Sequence, residues 1–110
     1  MPKQLETSEH AKKDFLKTRY YKTNILLIME YVKKYFEENK IKIISYDTNY
    51  NEISVETELY NMTVRFVQVE PAEAAVDLFV DSYFLFDFNK TKKLINDFYD
   101  VLGKKFELKG

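Results

Sequence analysis

The segment that decides the fold of this chain reads NILLIMEYVKKYF and occupies residues 24–36. Apolar residues recur in it at intervals of three and four, which predicts a helix with an apolar face. They are Ile25, Ile28, Met29, Val32 and Phe36. A second stripe beside the first contains Tyr20, Leu27, Tyr31 and Tyr35. Because the combined face is wide, we expect the helix either to pack on two sides or to bind a second copy of the chain, with the second stripe as the dimer interface.

This helix is expected to begin well before residue 24. No glycine or proline interrupts residues 9–38, and Thr7 or Ser8 can cap the N-terminus, so the predicted helix spans residues 9–38. A helix of that length is about 45 Å long, whereas a domain of this size is roughly 34 Å across. We therefore expect either a projecting N-terminal arm or a break near residues 18–23, where β-branched and aromatic residues lower helix propensity.

Four strands are predicted downstream of the helix. Alternation of apolar and polar residues and enrichment in β-branched residues place them at residues 41–46, 52–60, 63–70 and 76–86. Turns are predicted at residues 47–51 and 61–62, and Pro71 ends the third strand. Residues 72–75 form a helical turn at most.

A second helix is predicted over residues 90–102, with Gly103 ending it. The predicted fold class is α+β in two layers: a long N-terminal helix, a four-stranded antiparallel meander and a C-terminal helix, with both helices on one face of the sheet. The other face is left to water or to a partner. The 110 residues suffice for one domain, in which we expect residues 1–8 to be disordered and residues 104–110 to form a tail.

Composition indicates a cytoplasmic protein. The chain has no cysteine, which excludes disulfides and thiolate chemistry. Its first residues lack the apolar core of a signal peptide, and its apolar runs are too short to cross a bilayer. We therefore expect a cytoplasmic location and no membrane partner.

Charge is distributed unevenly along the chain. Residues 1–46 carry a net charge of +4, residues 47–88 of −8 and residues 89–110 of +3. Acidic residues at solvent-facing positions of two predicted strands form an acidic sheet face, and they are Glu52, Glu56, Glu58, Asp77 and Asp81. Like charges on neighbouring strands repel each other, so this face is interpreted as either solvated or a docking surface for a basic partner. Open strands hold carboxylates too far apart to favour a metal site.

A basic segment near the N-terminus gives an alternative function. It comprises Lys12, Lys13, Lys17, Arg19 and Lys22, with tyrosines interleaved. Such a segment can follow a phosphate backbone and stack on bases, which would make the protein a nucleic-acid binder. The isoelectric point near 5.9 argues against that class.

Signatures of catalysis are missing from the sequence. His10 is the single histidine, and with two glycines in all there is no Gly-rich phosphate loop. We therefore expect no catalytic activity, no cofactor and no metal. The predicted function is a non-catalytic protein-interaction module (adaptor, regulator or chaperone-like), homodimeric through the long helix, whose acidic sheet face binds a basic protein partner. The alternatives are nucleic-acid binding and a small-ligand-binding protein with a pocket between helix and sheet.

Overall fold

The computed structural model describes residues 3–82 and 88–108 of the chain. It contains two helices and an antiparallel sheet, in agreement with the predicted α+β class. The strands are β1 (Lys3–Glu6), β2 (Arg19–Tyr21), β3 (Lys42–Asp47), β4 (Glu52–Glu56), β5 (Tyr60–Glu70) and β6 (Glu73–Ser82). The helices are α1 (Ile25–Glu38) and α2 (Phe88–Lys105).

Helix α1 begins at the start of the apolar segment rather than at residue 9. Asn24 caps it, because its Oδ1 accepts a hydrogen bond from the backbone N–H of Leu27 at 3.0 Å. The predicted helix over residues 9–24 is therefore wrong, and the chain changes structure close to the break that we expected near residues 18–23. Residues 19–21 instead form β2, because aromatic side chains fit a pleated surface better than an exposed helix.

The sheet contains two more strands than predicted. Its order is β1-β6-β5-β4-β3, and β2 also pairs with β6. Glu6 lies opposite Phe79 and Arg19 lies opposite Val76, so β1 and β2 occupy successive stretches of the same edge of β6. Residues 7–18 leave this edge between the two strands, and we call them the edge loop.

Two connections differ from the predicted ones. The turn between β4 and β5 is closed by Thr57, whose Oγ1 accepts hydrogen bonds from the N–H groups of Leu59 and Tyr60 at 3.2 and 3.0 Å. Residues 61–62 therefore lie inside β5 and do not form a turn. Residues 73–75 are part of β6, so there is no helical turn after Pro71. The predicted strand over residues 76–86 is observed as far as residue 82, and residues 83–87 lie outside the described residues.

Gly103 does not end the second helix, because α2 continues to Lys105. A Cβ atom built at Gly103 has no neighbouring heavy atom within 4 Å. The buried Phe106 follows the helix and packs on the core, and Leu108 forms a β-bridge with Tyr21. The segment after residue 103, which we expected to be a tail, thus extends α2 and then reaches the outer edge of β2.

The hydrophobic core lies between one face of the sheet and the two helices, as predicted. Its buried sheet residues are Tyr21, Ile53, Val55, Met62, Val64, Phe66, Ala74, Val76, Leu78 and Val80. Its buried helix residues include Ile28, Met29, Val32, Phe36, Ile95, Phe98, Tyr99 and Leu102. Among the described helices, none is long and apolar enough to cross a membrane.

Contacts between aromatic rings show how the wide face of α1 is covered. Tyr31 packs edge-on against Phe106, with ring centroids 5.4 Å apart. Tyr35 packs in the same way against Phe98, at 6.4 Å. Of the two arrangements that the sequence allowed, α1 therefore packs on two sides within its own chain: the sheet covers one stripe, and α2 with the residues that follow it covers part of the other.

Candidate functional site

The sheet face turned away from the helices carries three rows of side chains from β4, β5 and β6. Each row holds one residue of each strand, because the strands pair in register. The first row is Glu52, Arg65 and Asp77, the second is Ser54, Thr63 and Phe79, and the third is Glu56, Asn61 and Asp81. We call this surface the open face. Four of the five predicted acidic residues lie on it, whereas Glu58 lies in the turn between β4 and β5.

The first row loses much of its negative charge to an ion pair. Arg65 Nε donates a hydrogen bond to Glu52 Oε2 at 2.7 Å. The same guanidinium lies 4.8 Å from the ring centroid of Phe79 in the second row. An exposed ion pair stabilises a fold by only about 0.2–1 kcal/mol, so its main effect is to orient Arg65 and to neutralise Glu52.

Asp77 connects the open face to the edge loop. Its Oδ1 accepts hydrogen bonds from Thr7 Oγ1 at 2.7 Å and from Thr18 Oγ1 at 2.6 Å. Thr7 is buried, and its hydroxyl oxygen also accepts from the N–H of Leu78 and from the hydroxyl of Tyr99. Asp77 therefore closes the edge loop at both ends, and its carboxylate is not the freely exposed partner-binding group that the sequence predicted.

The third row contains a buried hydrogen-bond acceptor that lacks a donor among the described residues. Asn61 Oδ1 is buried and has no hydrogen-bond partner among the described residues. Glu56 and Asp81 lie directly opposite Asn61 on the two neighbouring strands. A buried acceptor without a donor costs free energy, and two carboxylates beside it attract a cation. The arrangement suits a positively charged donor that approaches from solvent.

A cleft of about 310 Å³ opens over Asn61 and Asp81. Ile44 and Phe79 contribute apolar surface to its walls, and Ile44 is 51% exposed. The cleft thus combines apolar wall residues with the side-chain acceptors of Asn61 and Asp81. That combination matches a lysine side chain, which buries its methylene stem while its ammonium group donates. No group of three or more histidine or acidic side chains within residues 3–82 and 88–108 is arranged to hold a metal ion.

A second cleft of about 480 Å³ lies on the same face beside the edge loop. Val67 and Val69 form part of its floor and are 48% and 46% exposed. Tyr20 donates to Glu9 Oε2 at 2.9 Å, and this hydrogen bond raises the pKa of the Tyr20 hydroxyl above its ordinary value. The rim is therefore acidic and the floor apolar.

The four residues predicted to form a dimer interface do not share one surface. Tyr20 lies on β2 opposite Ala75, on the open face. Tyr31 and Tyr35 are partly buried inside the chain, and Leu27, with 59% exposure, faces solvent on α1. The helical stripe that grouped them fails because residues before Asn24 are extended, so Tyr20 and α1 lie on opposite sides of the sheet.

The predicted basic segment is likewise divided between surfaces. Lys12 and Lys13 are exposed in the edge loop, where Lys17 lies 3.6 Å from Asp14. Lys22 forms an ion pair with Glu107 at 3.1 Å. These lysines therefore do not line one helix face, as the nucleic-acid prediction required.

Arg19 lies on the helix side of the sheet, which the sequence did not predict. Its guanidinium carbon is 5.0 Å from the ring centroid of Tyr99, and its Nε is buried with no hydrogen-bond partner in the part of the chain that the structure describes. It faces a cleft of about 620 Å³ between β2 and α2. No sequence signal marks either Arg19 or Asn61, because the environment of each depends on strand register and on which elements become neighbours.

Comparison of the chain with protein-family models, with curated proteins and with solved structures finds no significant match.

Proposed function

We propose that this protein is a non-catalytic protein-interaction module, of the adaptor, regulator or chaperone-like kind, whose open face binds a basic segment of a protein partner. The observation that carries the proposal is the third row of the open face. There, Asn61 offers a buried acceptor that has no donor within residues 3–82 and 88–108, and it lies between Glu56 and Asp81 on the neighbouring strands.

Charge favours a basic occupant over an acidic one. The open face displays the carboxylates of Glu56 and Asp81, and the positive charge of Arg65 is already paired with Glu52. A lysine or arginine of the partner would satisfy Asn61 and offset the repulsion between neighbouring carboxylates. Complementary charge mainly sets the specificity and rate of association.

Apolar surface on the same face supplies the remaining contact. Val67 and Val69 stand about half exposed on β5, and Ile44 borders the cleft at Asn61. Interfaces typically combine apolar patches with a polar rim and hydrogen bonds. The open face has both components, with Glu9 and the edge loop at one side and the third row at the other.

A nuclear magnetic resonance titration with a designed peptide tests this proposal. The probe is an acetylated peptide of alternating lysine and valine, and its control carries glutamine in place of lysine. We expect the amide signals of Asn61, both backbone and side chain, to shift with the lysine peptide and to stay fixed with the glutamine peptide. The shifts should weaken as salt is raised, because the contact is partly electrostatic.

Two matched variants separate a specific site from general charge attraction. Asp81→Asn should weaken binding of the lysine peptide about two- to fivefold, the size of one exposed charge contact. Glu58→Gln removes the same charge from the turn outside the three rows and should leave affinity unchanged. An equal loss of affinity in both variants would show that the peptide responds only to the net charge of the protein, and this result would refute the proposal.

Association with a second copy of the chain stays a separate proposal. Leu26 and Leu27 are 78% and 59% exposed at the start of α1. We propose that these two leucines, rather than the tyrosines, provide the apolar contact of a homodimer. Light scattering on the parent chain and on the double variant Leu26→Gln/Leu27→Gln tests it. A dimeric parent whose variant is monomeric supports the contact, and a monomeric parent refutes it.

We propose a cytoplasmic location for the protein.

A further inference from the structure

Arg19 occupies an unusual environment for a charged side chain. It lies opposite Val76 in the sheet, so its side chain points to the helix side. The guanidinium packs over the ring of Tyr99 with 5.0 Å between the guanidinium carbon and the ring centroid. Its Nε is shielded from solvent and has no hydrogen-bond partner within the described part of the chain.

A guanidinium nitrogen that is buried without an acceptor is costly. The guanidinium carries five N–H donors, and a buried donor that lacks an acceptor loses its hydration without replacement. The ring of Tyr99 offsets part of the charge through its π face, but it cannot accept in the plane of the guanidinium. An arginine binds a planar or tetrahedral oxyanion through the edge of this plane, with two parallel hydrogen bonds.

A cleft large enough for a small molecule lies in front of this side chain. Its volume is about 620 Å³, and it separates β2 from the last turns of α2. Tyr21 and Leu108 contribute to one wall. On the other wall, the space around Gly103 is open, and Lys104 supplies a second cation.

Acidic groups at the rim restrict the ligand that the cleft accepts. Asp97 and Asp100 both border it. Asp97 is engaged by Lys93 at 2.6 Å, whereas Asp100 is exposed. A carboxylate at the mouth repels ligands with several anionic groups and tolerates a small ligand whose single oxyanion group reaches Arg19.

We propose that Arg19 anchors a binding site for a small oxyanion-bearing ligand, either a carboxylate or a phosphate ester, in the cleft between β2 and α2. The ligand's oxyanion accepts from the Arg19 guanidinium, and its remaining part lies against Tyr21 and Leu108. This site is on the opposite side of the sheet from the open face, so the inference is independent of the proposed partner.

The two arginines of the chain make the test direct. Arg19 and Arg65 each give one Nε–Hε signal in a nitrogen-15 spectrum, and Arg65 is already bonded to Glu52. The unsubstituted, full-length protein is titrated with inorganic phosphate, with acetate and with chloride at constant ionic strength. We expect the Arg19 signal to shift along a saturable curve with phosphate or acetate, while the Arg65 signal and the chloride series stay nearly flat.

The relative response to the two probes identifies the ligand class. Saturation at lower acetate concentration assigns a carboxylate ligand, and saturation at lower phosphate concentration assigns a phosphate ester. Arg19→Lys keeps the charge but lacks the planar fork, so it should weaken the backbone shifts around the cleft at least several-fold. An Arg19 signal that fails to saturate with either probe, or that responds equally to chloride, overturns the inference. Asp81→Asn should leave this titration unchanged, which separates failure of this site from failure of the open face.

Discussion

Replacement of Asp77 tests whether this carboxylate holds the edge loop in place. The Asp77→Ala variant removes both hydrogen bonds to Oδ1, from Thr7 at 2.7 Å and from Thr18 at 2.6 Å. A hydrogen bond to a charged group contributes about 1.5–3 kcal/mol. Because the site is only partly buried and Thr18 can bond to water after the change, we take the lower value for each bond. The free energy of unfolding should therefore fall by about 3 kcal/mol.

The Asp77→Asn variant separates charge from geometry. It retains an oxygen acceptor at Oδ1 but lacks the charge, and neutral hydrogen bonds are about half as strong as charge-assisted ones. We therefore expect a loss of about 1.5 kcal/mol. Glu56→Ala is the matched control, because Glu56 is an exposed acid on the same face, and it should change stability by less than about 0.5 kcal/mol.

Urea unfolding followed by circular dichroism measures these losses, and hydrogen exchange locates them. The backbone N–H of Thr7 donates to Leu78 O at 2.8 Å, so its exchange should accelerate in Asp77→Ala if the edge loop opens locally. A loss below about 0.5 kcal/mol for Asp77→Ala would refute the role of Asp77 in closing the loop. An equal loss for Asp77→Asn and Asp77→Ala would show that the whole contribution depends on the charge of the carboxylate and that a neutral acceptor in its place retains none of it.

Three further predictions address other parts of the fold. Burial raises the pKa of the hydroxyls of Tyr21 and Tyr99 above 10.0, so both stay neutral in the folded protein at pH values where they ionise in the unfolded chain. Their contribution to the free energy of unfolding should be constant below about pH 10 and should fall above it by about 1.4 kcal/mol per pH unit for each tyrosine. Urea unfolding at a series of alkaline pH values measures this slope, and Tyr21→Phe should reduce it. Gly103→Ala should raise the free energy of unfolding by about 0.5–1 kcal/mol, because the residue is helical and its Cβ would meet open space. A lower melting temperature for this variant would contradict the prediction that the added Cβ has room. Asn24→Ala removes the cap of α1 and should cost about 1 kcal/mol in the same unfolding assay, whereas Asn24→Ser should cost much less, since serine caps equally well.

Local pattern was sufficient to identify the type and order of the central and C-terminal elements, but not where β5, β6 and α2 begin or end. The period-2 alternation of β4 and β6 correctly assigned Ile53 and Leu78 to the core and Glu52 to the other face. The stripe of α1 likewise identified its buried residues, because a helix buries whichever side carries its apolar groups. For the candidate site, the sequence predicted only which sheet face carries the acidic residues, because this follows from alternation. It did not predict the hydrogen bonds and ion pairs that each acidic residue forms.

The N-terminal quarter was mispredicted because its structure depends on a distant partner. Residues 9–24 contain no helix breaker, so local propensity allowed a helix. Strands β1 and β2 are only four and three residues long and gain their hydrogen bonds from β6, far along the chain. A short strand cannot be stable alone. Residues 3–6 and 19–21 therefore adopt the extended conformation only when the edge of β6 is present to pair with them.

The sequence by itself determined which side chains of α1, β4 and β6 turn inward, since periodicity fixes the face of a regular element without knowledge of its neighbours. Tertiary structure alone decided the roles of Asp77, Asn61 and Arg19. Thr7 and Thr18 reach Asp77 across 70 and 59 positions of sequence, and this meeting requires β1 and β2 to pair with the same edge of β6. Hydrogen-bond partners, unlike faces, depend on distances between elements, and those distances exist only after the sheet has formed.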